Sequence, residues 1–241
     1  MDSSTNTSPA SPHLQITSAL AAIIPMALLT TWMYLVRGEV PGQSEFFLGP
    51  LLFGGGMIFW IMFLHIVVCR DTPYSLGFRL AGVWQDIASG IGMGIGLLIL
   101  KHLTDPVLAG LFPQRPPSEE ILQLIYSVSS NLWLLALWLG PVVWIGIACF
   151  EEIWRCFVLR RFWNVVRTNR SGWIVLIVVS LLIGLAHGYQ GPAAIISIGI
   201  KSLLLGWYFM ITGRARTLIV CHAVYDSVQI IHAVIMIRGG L

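Results

Sequence analysis

The sequence predicts an all-α, polytopic transmembrane bundle of seven or eight helices enclosing a polar intramembrane cavity. Three observations carry that prediction. Of 241 residues, 56% are hydrophobic and only 10% charged, where a soluble domain carries roughly a quarter charged residues; the mean hydropathy is +0.81. Apolar windows of about 17 to 25 residues, the length that spans a hydrocarbon core, recur along the chain. Ten tryptophans are present, a residue type favoured at membrane–water interfaces. Backbone polar groups in lipid must be satisfied within the protein, and here helices do so.

The elements follow in order. Residues 1–15 are rich in Ser, Thr and Pro and read as a flexible tail, leaving 16–241 as a single transmembrane domain. No Lys or Arg precedes Arg37, so the basic start of a cleaved signal peptide is missing and the first apolar stretch reads as a retained helix. Apolar windows run over 17–36, 46–69 and 87–112, the last interrupted only by Lys101, His102 and Asp105. The next, 132–162, exceeds one span and contains Gly140-Pro141, where proline disrupts a helix ladder and two segments become an option. Windows over 173–187, 193–211 and 218–237 complete the set. Gly90, Gly92, Gly94 and Gly96 form two overlapping GxxxG spacings in the third window, a pattern that lets helix backbones approach closely. No internal repeat is visible.

Arginines set the expected orientation. Arg160, Arg161, Arg167 and Arg170 follow the fourth window; with seven spans, Arg70, Arg79, Arg214 and Arg216 fall on the same side, against Arg37, Arg115 and Arg238 opposite. The positive-inside rule puts the arginine-rich links, and with them the N-terminus, in the cytoplasm. The net charge of +3 is too small and too dispersed to suggest a nucleic-acid partner. Cys69, Cys149, Cys156 and Cys221 show no CxxC pairing, so neither a disulfide framework nor a zinc site of that type is indicated.

Three polar clusters interrupt this apolar background. Glu151 and Glu152 lie in the run Pro141-VVWIGIACF-Glu151-Glu152-IWRCFVL-Arg160. A carboxylate at membrane depth costs about 3 kcal/mol and marks a functional site by default. Residues four apart share a helix face, so Glu151 is expected to pair with Arg155, with Glu152 turned about 100° away toward another partner. His187 ends an apolar helix in Gly184-LA-His187-GYQGP. His222 and Asp226 repeat the four-residue spacing, so the carboxylate can fix the imidazole tautomer. His65, His102, His232 and Arg238 have no such partners and read as structural. Two carboxylates, two histidines, an arginine and an aspartate in three spans are what a water-activating site requires: a buried glutamate as base with a histidine assisting, and a polar pair for an oxyanion. No Ser or Cys is placed as a nucleophile; Cys156 and Cys221 are thiols in apolar surroundings.

Glu-Glu followed shortly by Arg, then a helix ending in His, then His-xxx-Asx, resembles the CPBP intramembrane proteases: the type II CAAX-prenyl proteases and their bacterial relatives, also called the ABI family. The resemblance covers roughly 138–231 with all three motifs in family order. It implies a bundle of about eight spans with a cavity open to the cytosol, glutamate-dependent peptide hydrolysis without a metal or other cofactor, and a peptide or protein substrate reached from the cytoplasmic side. Placement in a bacterial plasma membrane is expected; use of prenylated substrates does not follow. By position, the resemblance implies Glu151 as the water-activating carboxylate assisted by His187, Glu152 and Arg155 in support, and His222 with Asp226 as the oxyanion pair. Three departures stand out. Only Ile153 and Trp154 separate the glutamates from Arg155 where the family has three residues, so either glutamate can hold the water-activating place. Ile183 replaces a phenylalanine four residues before His187, a packing change. Asp226 stands where asparagine is common; an ionised aspartate repels an oxyanion, so it must be protonated or serve only to orient His222. Two other readings fit the same residues. One is a metal-dependent hydrolase with Glu152, His187, His222 and Asp226 as ligands, although HExxH is absent. The other is a non-catalytic binding, immunity, scaffold or transport protein.

Overall fold

The computed structural model describes residues 10–35, 43–79, 81–112, 119–166 and 168–239. The proposed tail up to residue 9 and Arg37, Arg115 and Arg167 lie outside the described residues. The helices are α1 Pro12–Leu35, α2 Gln43–Phe63, α3 Val83–Leu111, α4 Glu119–Ser130, α5 Leu132–Leu137, α6 Phe150–Val165, α7 Asn169–Ala186, α8 Pro192–Thr212 and α9 Ala215–Arg238. No strand occurs among the described residues, and the fold is the all-α bundle expected from composition. Six stretches are long and apolar enough to cross a membrane: Pro12–Trp32, Leu48–Val68, Val83–Leu111, Leu132–Val165, Pro192–Thr212 and Ala215–Arg238. Arg170–Ala186 is apolar but shorter.

The over-long window resolves into one kinked rod. α5 passes through a π-helical stretch, Trp138–Cys149, directly into α6, with the bend at Gly140 (φ −91°, ψ −107°). Proline at 141 has no N–H for the ladder, so a local bend replaces two separate spans. α4 was not anticipated. It is a short helix that turns Leu124, Ile125 and Val128 inward and Tyr126 outward.

α6 is buried on every side: Phe150, Glu152, Ile153, Trp154, Arg155, Cys156, Phe157, Val158, Leu159 and Arg161 are all buried. A helix buried all round is a central one, and α1, α2, α7, α8 and α9 pack against it. The Trp154 indole N–H donates to the Ala22 carbonyl of α1 at 2.9 Å. This central position explains why two glutamates are tolerated, because they face protein rather than lipid. The lipid-facing stripe is visible on α3 as Ile91, Ile95, Ile99, Leu103 and Val107, all exposed. Its opposite face uses the GxxxG pair: a Cβ on Gly90 would meet Val220 and the Thr217 carbonyl, and one on Gly94 would meet the Cys221 carbonyl. Gly92 and Gly96 face open space. Replacing Gly94 by Leu should therefore separate α3 from α9 and destabilise the protein by about 1 to 3 kcal/mol, whereas Gly92→Leu should be near neutral; thermal unfolding in detergent measures both.

Charged networks seal one end of the bundle. Arg161, 0% exposed, donates to Gln15 Oε1 at 2.9 Å, pairs with Asp71 at 2.7 Å and donates to His65 Nδ1 at 2.5 Å. His65 Nε2 in turn donates to the Thr72 carbonyl at 2.8 Å, which makes His65 structural. Asp86 receives Arg214 at 3.0 Å and Arg216 at 3.1 Å, with Thr217 donating at 3.1 Å. Gln15, expected in the tail, lies instead inside α1 and is 3% exposed. The start of α1, the 69–82 link, the end of α6 and the α8–α9 turn therefore share one end, and the arginines cluster there as the seven-span count requires. Arg161→Leu, by leaving Asp71 unpaired and Gln15 without its donor, should cost about 3 kcal/mol or more in the same unfolding assay.

Candidate active site

The three polar clusters come together around the start of α6, the C-terminal end of α7 and the middle of α9. Glu151 and Glu152 are consecutive on a helix, so they point about 100° apart. The sequence-based pairing of Glu151 with Arg155 is not what forms. Glu152, 0% exposed, takes the ion pair with Arg155 at the three-residue spacing. Its other oxygen accepts from His222 Nδ1 at 2.8 Å. Rotating α6 so that Glu152 faces α9 turns Glu151 into the cavity, where its carboxylate stands 3.8 Å from His187 Nε2.

His187 is held by its own helix end. Its Nδ1 lies 2.9 Å from the Ile183 carbonyl. A carbonyl only accepts, so Nδ1 carries the proton and the neutral ring presents the Nε2 lone pair to Glu151. Two acceptors 3.8 Å apart leave the right gap for a group that donates to both, which a water does. His222 is oriented from both sides, by Glu152 and by Asp226 Oδ2 at 3.3 Å from Nε2; the His222–Asp226 pair keeps the spacing read from the sequence.

These residues open onto a cavity of about 1290 Å³ lined by Glu151, Arg155, His187, His222 and Asp226. Glu152 is sealed beneath it. The lining also includes residues that sequence reasoning passed over: Lys201, Tyr225 and Gln229, and His102 and His232, which the sequence suggested were purely structural. Lys201 carried a readable signal, being the sole ionisable residue inside the 192–212 apolar run. Arg238 does not join the site; it donates to the Ser129 carbonyl at 2.7 Å. Cys156 and Cys221 are buried and Cys149 is half-buried, and all are free thiols. No group of three or more His, Cys, Asp or Glu side chains arranged to hold a metal occurs among the described residues.

The cavity runs from Arg155 and Leu205, midway along α6 and α8, to the 189–191 turn and Ala109 near the end of α3. It therefore occupies the half of the bundle away from the arginine-rich end.

Buried carboxylates and oriented histidines meeting in an intramembrane cavity define a multi-pass membrane protein with a hydrolase-type site. Residues 121–228 match the family model described as type II CAAX prenyl endopeptidase Rce1-like, a span holding all six candidate residues. The chain thus carries a domain of the CPBP/CAAX-protease family. No curated protein and no solved structure gives a significant match.

Proposed function

We propose that this protein is an intramembrane endopeptidase in which Glu151 and His187 activate a water molecule for attack on a peptide bond. The observation that carries this reading is the 3.8 Å gap between the Glu151 carboxylate and His187 Nε2, with the His187 tautomer set by Ile183. A water placed there gives one proton to each acceptor as hydrogen bonds. On attack, its oxygen bonds to the substrate carbonyl carbon and Glu151 takes a proton. The carbonyl oxygen becomes the oxyanion, and collapse breaks the C–N bond as the proton passes to the leaving amine. His222 is the oxyanion donor on the α9 side: its contact with Asp226 is the longer of its two, 3.3 Å against 2.8 Å to Glu152, so Nε2 is the nitrogen released to substrate. Asp226 positions the ring, and Glu152 with Arg155 anchors it from below. Preorganised donors of this kind are worth about 3 kcal/mol of barrier each.

The substrate reaches the site from the end of the bundle opposite the arginine-rich links, because that is where the cavity extends. Taken with the positive-inside rule, the mouth faces away from the cytoplasm and the N-terminus faces toward it. A cytoplasmic N-terminus and cytoplasmic access, both expected from sequence, are incompatible in this geometry. Single cysteines introduced at Gln190 and at Thr168, labelled in intact cells with a membrane-impermeant maleimide, should react at 190 and not at 168; the reverse pattern would return the mouth to the cytoplasm.

The activity itself is tested with the purified chain in lipid and a quenched peptide library, with and without chelator. Cleavage that survives chelator supports the glutamate mechanism. Chelator-sensitive cleavage moves the assignment to a metal hydrolase, and absence of cleavage across the library moves it to a binding protein.

A further inference from the structure

Lys201 stands in the middle of α8 on the face turned to the cavity. It is 9% exposed. Its ammonium donates to the Tyr225 hydroxyl and lies 4.7 Å from the centre of that ring. Tyr225 follows His222 by three residues on α9, so Lys201 is anchored within about one helical turn of the proposed oxyanion donor.

The other charges of the cavity are matched at contact distance. Lys101 pairs with Asp105, Arg155 with Glu152, and Asp226 with His222. Lys201 alone among the cations lining the cavity has no carboxylate within ion-pair distance among the described residues. Lys101, Asp105 and Asp226 lie within electrostatic range of it, and the first two offset one another. A lysine at this depth is costly and marks function by default. Bonding to Tyr225 does not explain it, since a neutral donor would suffice and an ammonium has three N–H donors.

Resting on the peptidase reading, we propose that Lys201 forms an anion-binding subsite that receives a carboxylate of the peptide substrate close to the scissile bond. One uncompensated positive charge suits a monoanionic carboxylate. A lipid headgroup this close to His222 would occupy the place of the attacked bond. A separation from His222 on the order of 10 Å corresponds to about three extended residues, so the carboxylate is either the chain terminus or an acidic side chain within that reach.

The test uses the full chain in nanodiscs and fluorescent peptides of one sequence, ending in a free acid or an amide and carrying Glu or Gln near the terminus. Equilibrium binding should favour a carboxylate form over its neutral counterpart by about ten-fold or more, the size of a charge-assisted contact. Which pair shows the preference separates chain terminus from side chain. Lys201→Met should erase the preference and Lys201→Arg should keep most of it. Equal binding of all four peptides by wild type overturns the proposal without recourse to any variant. A preference present in phosphatidylcholine discs but lost in phosphatidylglycerol discs assigns the site to lipid and overturns it too. Cleavage is scored separately in the same preparation: an acid preference without cleavage sinks the peptidase reading while the anion subsite stands.

Discussion

Glu151→Gln should reduce peptide cleavage by about a thousand-fold or more while leaving the melting temperature essentially unchanged. The glutamine keeps the shape and one acceptor oxygen but cannot take a proton from water, and general-base assistance is worth about 10²- to 10⁴-fold. Stability is spared because Glu151 makes no ion pair with a permanent cation; its recorded partner is His187 at 3.8 Å. His187→Ala should lose activity on a similar scale. The double variant should be little worse than either single one, since the two residues act on one water and such units are not additive. Initial rates for the four proteins, normalised to the folded fraction, measure the coupling directly.

Glu152→Ala should act first on folding. Removing a fully buried carboxylate leaves Arg155 charged and uncompensated in the centre of the bundle and takes an acceptor from His222. Breaking a buried pair from one side costs about 3 to 5 kcal/mol, whereas replacing both partners by apolar residues is far less harmful. Glu152→Ala should therefore unfold readily in detergent, and adding Arg155→Met should recover much of the loss. A double-variant melting curve as low as that of the single variant would show that Glu152 does not carry the structural role assigned to it.

Much of the fold was readable because it follows from hydropathy and length. Gly90 and Gly94 marked the α3–α9 contact through spacing alone. The segment 132–165 could not be settled from sequence, since a proline after a glycine permits either a kink or a break, and packing at Gly140 decides. α4 escaped because twelve residues with polar interruptions give no spanning signal. At the site, helical spacing placed His222 with Asp226 but mispaired the glutamates. Arg155 can reach either neighbour, and the choice depends on how α6 is rotated against α9, a tertiary fact. Lys201 was visible as an intramembrane lysine but had no partner at helical spacing, because its partner Tyr225 lies on another helix. The direction of the cavity was not legible at all, since it depends on which half of each helix faces inward.

The central claim is that Glu151, not Glu152, handles the water. Single-turnover cleavage of one peptide by wild type, Glu151→Gln and Glu152→Gln, in the same lipid and per folded molecule, tests it most directly. The account predicts a Glu151→Gln protein that is folded and inactive, and a Glu152→Gln protein that is unstable but more active per folded molecule. A folded, inactive Glu152→Gln beside a Glu151→Gln that cleaves at the wild-type rate would contradict it.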